Sequence, residues 1–272
     1  MENKSDKRII SVSDINSYLY CARKLYLSKV CGLRVSMNRN MAVGRLKHSI
    51  LEAFSKNEEK FVSDIDKDYD RLELVFMYED FIKNLAARIF AENSEMCEKF
   101  MVDKDDMTRK IIRDFSEDIR LRIASIKSSL SKGFRKDEIW SNLDSLYISE
   151  LRLESEALGL RGRADRVMIS KSEGTIIPFE LKSREDNIFH SDEIQLTAYA
   201  MLLEEKYKRK ILIGMIEVGN NKKEIPITEA NKSEIIRISD IIRNFENSPP
   251  PAMQSNFNKC RHCEFQEECS KI

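Results

Sequence analysis

The sequence predicts an α/β fold, a mixed sheet flanked by helices with an all-helical insert, and three observations carry that prediction. Apolar residues recur every three or four positions up to about residue 140, the period of packed helices. After Leu146 they alternate instead, which is the period of strands. Near the end, CRHCEFQEEC (residues 260–269) gathers three of the six cysteines, a clustering that points to a metal or to reactive thiols.

The elements follow in order. ISVSDINSYLYCARKLYLSK reads as an entry segment and then a helix, with Ser13 as N-cap, Asp14 in the first turn, and Ile15, Tyr18 and Leu19 at helical spacing. A second helix covers 41–54, striped by Leu46, Ile50, Leu51 and Phe54. From 64 to 140 the stripe Met107, Ile111, Phe115, Ile119, Ile123, Ile126 and Leu130 predicts the helical insert. LYISELRLESEALGLRGRADRVMIS predicts two strands joined near Gly159, and GTIIPFELKS a third. SDEIQLTAYAMLLEEKYK resumes helical period behind a Ser191 cap and acidic Asp192 and Glu193. KILIGMIEVG and KKEIPIT pair around a turn at Gly219, Asn220 and Asn221, and a last helix spans about 229–246. NSPPPAMQSNF is an extended linker into the cysteines. The expected segments are therefore 1–63, 64–145, 146–247 and 248–272.

Composition limits the class. With 46 basic against 46 acidic residues and 42% hydrophobic residues, the chain is a soluble globular protein able to build a sizeable core. No run approaches the length that spans a bilayer, and MENKSDKRII lacks the apolar centre of a signal peptide, so no membrane partner and a cytoplasmic location are expected. In that reducing compartment clustered cysteines point to a metal or to reactive thiols before disulfides.

Along the strand PFELKS, alternation puts Glu180 and Lys182 on one face and sends Leu181 toward the core. An acid beside a lysine can hold a divalent cation and place a water next to it. Alone the pair says little, since chance supplies roughly eight acid-x-base matches at this charge content. Three further features raise its weight. GRADRV puts Asp165 in an otherwise apolar strand, where a lone carboxylate is costly. Gln195 and Tyr199, four apart, share a helix face. His48, one of three histidines, sits on an amphipathic helix.

That order of His, G-x-x-D, E-x-K and Q-x-x-x-Y resembles the RecB-type nucleases of the PD-(D/E)XK superfamily. With Cys21 near the N-terminus and Cys260, Cys263 and Cys269 near the C-terminus, it is most similar to the CRISPR-associated Cas-four exonuclease family. The resemblance covers about 11–55 and 146–270, leaving the helical insert outside.

The resemblance implies a PD-(D/E)XK core at 146–247 and an iron-sulfur clasp, commonly [4Fe-4S], on the four cysteines. Zinc is the alternative, since four thiolates satisfy it too. Cys31 and Cys97 match no motif and are expected to be inert thiols; Ala22 stands where many relatives have proline. It also implies that His48, Asp165, Glu180 and the main-chain carbonyl of Leu181 hold Mg2+ or Mn2+. Lys182 would orient or deprotonate the attacking water, Gln195 and Tyr199 would steady the lysine and the DNA backbone, and Arg163 and Arg166 would either contact DNA phosphates or form ordinary surface salt bridges. The implied activity is a metal-dependent exonuclease or endonuclease on single-stranded DNA ends or overhangs, trimming spacer precursors with CRISPR integrase proteins as partners. Homo-oligomerisation is left open. A RecB-type repair or viral recombination nuclease, and a non-catalytic DNA-end-binding subunit, stand as alternatives.

Overall fold

The computed structural model of the protein describes residues 8–182, 188–218, 221–254 and 257–272. In chain order the elements are β1 (Ile10–Ser11), α1 (Val12–Tyr20), α2 (Ala22–Lys29), α3 (Arg39–Ser63), α4 (Arg71–Glu92), α5 (Ser94–Lys99), α6 (Lys104–Ser131) and α7 (Asp137–Ser141). Then come β2 (Ser145–Ser155), β3 (Leu160–Ser170), β4 (Ile176–Lys182), α8 (His190–Tyr207), β5 (Ile213–Val218), β6 (Asn221–Pro226), α9 (Glu229–Arg243), α10 (Phe257–Arg261) and α11 (Gln266–Cys269). They form two compact units. A sheet unit comprises Met1–Ser36, Leu151–Arg166 and Ile176–Ile272; a helical unit comprises Met37–Glu150 and Val167–Thr175.

In the helical unit α4 packs on α3 and α6. The whole stripe from Met107 to Leu130 is buried, together with Leu46, Ile50, Leu51 and Phe54 of α3. The second helix is longer than the expected 41–54, because Asn38 caps it by accepting the Met41 N–H at 3.0 Å and nothing interrupts its period before Ser63. It groups with the following helices, whereas the sequence segmentation had set residues 37–63 apart from the insert.

The sheet runs β1-β3-β4-β5-β6, with β2 pairing β3. It is mixed: β1 is parallel to β3 and β4 to β5, while β6 returns antiparallel to β5. The expected joint at Gly159 is a turn with φ +60°, a conformation glycine adopts without steric cost. Of the turn expected at Gly219, Asn220 and Asn221, the first two positions lie outside the described residues. Helix α8 packs on β4, β5, α1 and α9 and buries Ile194, Leu196, Ala198, Ala200, Leu202 and Leu203. A helix apolar on so many sides belongs in an interior.

Two capping expectations change. Ser11, not Ser13, caps α1, accepting the Asp14 N–H at 3.2 Å; Ser13 lies inside the helix with its hydroxyl on that of Ser11. Ser191 lies within the first turn of α8, and Asp192 Oδ2 instead accepts the Phe189 N–H at 2.8 Å at its start. No described helix is long and apolar enough to cross a membrane.

Candidate active site

β3 and β4 lie side by side in the sheet, which brings the G-x-x-D and E-x-K segments together. Asp165 Oδ2 accepts the main-chain N–H of Leu181 at 2.9 Å, tying one segment to the other. Glu180 and Lys182 share a face of β4 as expected, but Leu181 is not in the core. Glu180 is only 2% exposed, while Leu181, expected in the core, is half-buried.

Burying a carboxylate beside another has an electrostatic consequence. Burial, then the Asp165 charge, pushes the Glu180 carboxyl up to about 8, with Lys182 opposing. The Lys182 ammonium sits 2.7 Å from Glu180 Oε1. Burial lowers its pKa, but Glu180, Asp192 and Asp165 more than offset this, so it stays above the usual lysine value. Glu180 Oε2 is buried and has no hydrogen-bond partner among the described residues. An excess of buried anionic oxygens with one lone oxygen suits a hard divalent cation, so the donor set fits the metal that the motif implies.

Helix α8 supplies the second wall. Gln195 Oε1 accepts from Lys182 Nζ at 3.1 Å and from Asn16 Nδ2 at 2.9 Å, and its Nε2 donates to the Tyr199 hydroxyl at 3.3 Å. Tyr199 is buried with its ring against the backbone of Gly162; a Cβ there would lie 2.8 Å from Tyr199 Cε1 and from Val12 Cγ2. The glycine of the G-x-x-D segment is therefore required by space.

His48 and Glu150 belong to the helical unit. His48 Nδ1 lies 2.7 Å from Glu150 Oε1, and Glu150 is buried at φ +57°, a left-handed conformation rare for a side-chain-bearing residue in a strand. Such a carboxylate fixes the ring orientation of a histidine.

Of the two arginines flanking Asp165, Arg163 is half-buried. Arg166 is 3% exposed, stacks its guanidinium 4.4 Å from the Phe179 ring and pairs with Glu217. For Arg166 the salt-bridge reading replaces the phosphate contact: a buried arginine paired with a carboxylate and stacked on an aromatic face is part of the packing.

Cys21, Cys260, Cys263 and Cys269 line one cavity of about 520 Å3, counting the part open to solvent. Cys21 caps α2, its Sγ accepting the Lys24 N–H at 3.4 Å. Arg23, Lys24 and Lys259 also line the cavity. Four thiols among three cations fit a metal group carrying net negative charge. Cys97 is buried and Cys31 exposed, and neither lines the cavity.

Sequence reasoning missed Asn16, Glu150 and, as more than a capping acid, Asp192. Only the left-handed backbone of Glu150 is unusual in itself, and composition does not encode it.

Residues 9–270 match the model of the PD-(D/E)XK nuclease superfamily. A CRISPR-associated exonuclease Cas4/endonuclease Cas1 fusion from Leptospira interrogans is 33% identical over 145 residues, 49% of this chain and 26% of the relative. A CRISPR-associated exonuclease Cas4 from Francisella tularensis subsp. novicida is 22% identical over 121 residues, 44% of this chain and 61% of the relative. The chain thus spans only part of either relative. The crystal structure of SSO0001 is a distant likeness, with a TM-score of 0.29 and 18% identity over 57% of this chain and 77% of its own.

Proposed function

Because the chain belongs to the PD-(D/E)XK nuclease superfamily, we propose that it is a metal-dependent DNA nuclease acting on single-stranded ends or overhangs. The observation that carries the reading is the constellation of buried Glu180 with half-buried Asp165 and Lys182, the lysine 2.7 Å from Glu180 and 3.1 Å from Gln195. Asp165, Glu180 and the Leu181 carbonyl are the ligands for Mg2+ or Mn2+, and His48 is assigned to the same cation by motif order. Bound there, the cation would supply Lewis acidity, activating water and neutralising charge on the scissile phosphate.

The chain's own groups do the rest. Lys182 orients the attacking water, assists its deprotonation and stabilises charge that develops only in the transition state. Gln195, held by Asn16 and Tyr199, fixes the ammonium. Glu150 orients His48. Arg163 is the remaining arginine assigned to DNA phosphates.

The four cysteines hold an iron-sulfur cluster, [4Fe-4S] in preference to zinc; their shared cavity and its cations support this. Following the family resemblance, the activity is assigned to trimming of spacer precursors for CRISPR adaptation, with integrase proteins as partners; the relatives' names support a CRISPR-associated exonuclease, in one case fused to endonuclease Cas1.

The test is cleavage of a labelled single-stranded oligonucleotide in Mn2+, beside equilibrium binding of the same oligonucleotide in Ca2+. Lys182→Ala should lose about 10²- to 10⁴-fold in rate and keep its affinity. Cleavage that persists in EDTA, or a Lys182→Ala protein cutting at the normal rate, rules the site out.

A further inference from the structure

An ammonium has three N–H donors, and Lys182 Nζ has three acceptors around it. Glu180 Oε1 lies at 2.7 Å, Gln195 Oε1 at 3.1 Å and Asp192 Oδ1 at 3.3 Å. Two of these come from the E-x-K and Q-x-x-x-Y segments. The third comes from the first turn of α8, where an acidic residue has an ordinary explanation as a helix-start charge.

Asp192 exceeds that explanation. Helix-start acids are normally solvated, yet Asp192 is 2% exposed, and a carboxylate is buried to that degree only with partners that repay its desolvation. Its two oxygens face different tasks: Oδ2 accepts the Phe189 N–H at 2.8 Å, and Oδ1 faces the lysine.

We propose that Asp192 is a positioning residue for Lys182, one that keeps the ammonium aimed at the reacting water while Glu180 serves the cation. The inference rests on the nuclease reading above. Glu180 cannot give all its charge to the lysine and also ligate a metal. Gln195 is neutral, and Asn16 shares its oxygen. Asp192 is therefore the anion that anchors Nζ throughout, restricting a side chain with four rotatable bonds to one geometry.

The two tasks of Asp192 can be separated. Asp192 is the third residue of α8, and an asparagine side-chain carbonyl accepts a hydrogen bond there as a carboxylate does, so Asp192→Asn keeps an acceptor for the Phe189 N–H and removes the charge on the lysine side. Its melting temperature should stay within a few degrees of wild type. Single-turnover cleavage of a labelled single-stranded oligonucleotide in saturating Mn2+ should slow by about 10- to 100-fold, with KM and Ca2+ binding affinity unchanged. In a Lys182→Ala background the same substitution should cost nothing further, because its effect passes through the lysine. Asp192→Glu, which keeps the charge, should stay within about tenfold of wild type, and it decides the matter if the asparagine variant unfolds.

An inactive Lys182→Ala beside an Asp192→Asn that cuts at the wild-type rate would overturn the positioning role and leave the nuclease reading standing. So would a further loss from Asp192→Asn in the Lys182→Ala background. A fully active Lys182→Ala would overturn both.

Discussion

Glu58 in the helical unit offers a test that owes nothing to catalysis. It lies on α3, 2% exposed, where it accepts from the Tyr78 hydroxyl of α4 at 3.1 Å and faces Arg122 Nε of α6 at 2.6 Å. Arg122 is held from other sides as well, with its guanidinium 5.3 Å from the Phe54 ring and 5.1 Å from the Tyr147 ring and a hydrogen bond to the Tyr147 carbonyl. Burial pushes the Glu58 carboxyl up from 4.5 to about 7, with Arg122 and Tyr78 opposing and Asp118 adding to the rise.

A carboxyl whose pKa is higher in the folded state than in the unfolded one binds an extra proton on folding. Its favourable contribution is complete below 4.5 and is lost as pH rises through about 7. At about 1.4 kcal/mol per pH unit of that gap, the full amplitude is about 3 kcal/mol. The perturbation is Glu58→Gln, which preserves shape and an acceptor for Tyr78 but cannot titrate.

Trp140 is the single tryptophan and packs against this core, so its fluorescence during urea unfolding reports the helical unit. With m of about 1–3 kcal/mol/M, the wild-type midpoint should fall by about 1–3 M urea between pH 5 and pH 8. The glutamine variant should lose most of that slope. Equal slopes in the two proteins, or a wild type that gains stability toward pH 8, would refute the argument.

Two further outcomes are expected. Serine at Cys21, Cys260, Cys263 or Cys269 should each bleach the visible absorbance of anaerobically purified protein and release its iron, while serine at Cys31 or Cys97 should not; colourless wild-type protein with one equivalent of zinc would replace the cluster and keep the clasp. Gly214→Ala would place a Cβ 2.8–3.0 Å from three carbons of the fully buried Leu196, costing about 1–3 kcal/mol in chemical denaturation, and a combined Leu196→Ala should be less destabilising than the sum of the two single changes.

Much of this architecture was legible in the chain because it is periodic. The α6 stripe is buried throughout, and the change of period near Leu146 falls where β2 begins. Alternation established that Glu180 and Lys182 share a face but could not say which face turns inward. The usual preference for burying leucine over glutamate misplaced Leu181, because this strand buries charge at Glu180. Arg166 was open between phosphate and salt bridge because its partner Glu217 comes from β5, 51 residues away. Asn16 reaches Gln195 across 179 residues, a contact that no local pattern encodes. Both misplaced caps lie within two residues of the observed ones, where several serines and acids compete for the same orphan N–H groups.

The cysteine cavity is held together by contacts in which no thiol takes part as a ligand. Closing residue 21 onto the 260s costs loop entropy, but that cost grows only slowly with length and need not fall on metal ligation alone. Arg23, 7% exposed, donates to the Pro251 carbonyl at 2.7 Å and to the Cys269 carbonyl at 3.2 Å. Gln254 and Lys259 both donate to the Tyr20 carbonyl, one residue before the capping cysteine. These contacts join the same two stretches that the thiols would join, from side chains that are not ligands. Arg23 also lines the cavity it helps to close, so replacing it removes a cation from the lining as well as both hydrogen bonds. The two cysteine-bearing stretches are thus brought together by ordinary hydrogen bonds, and the ligation proposed above would stabilise a closure that the polypeptide already makes.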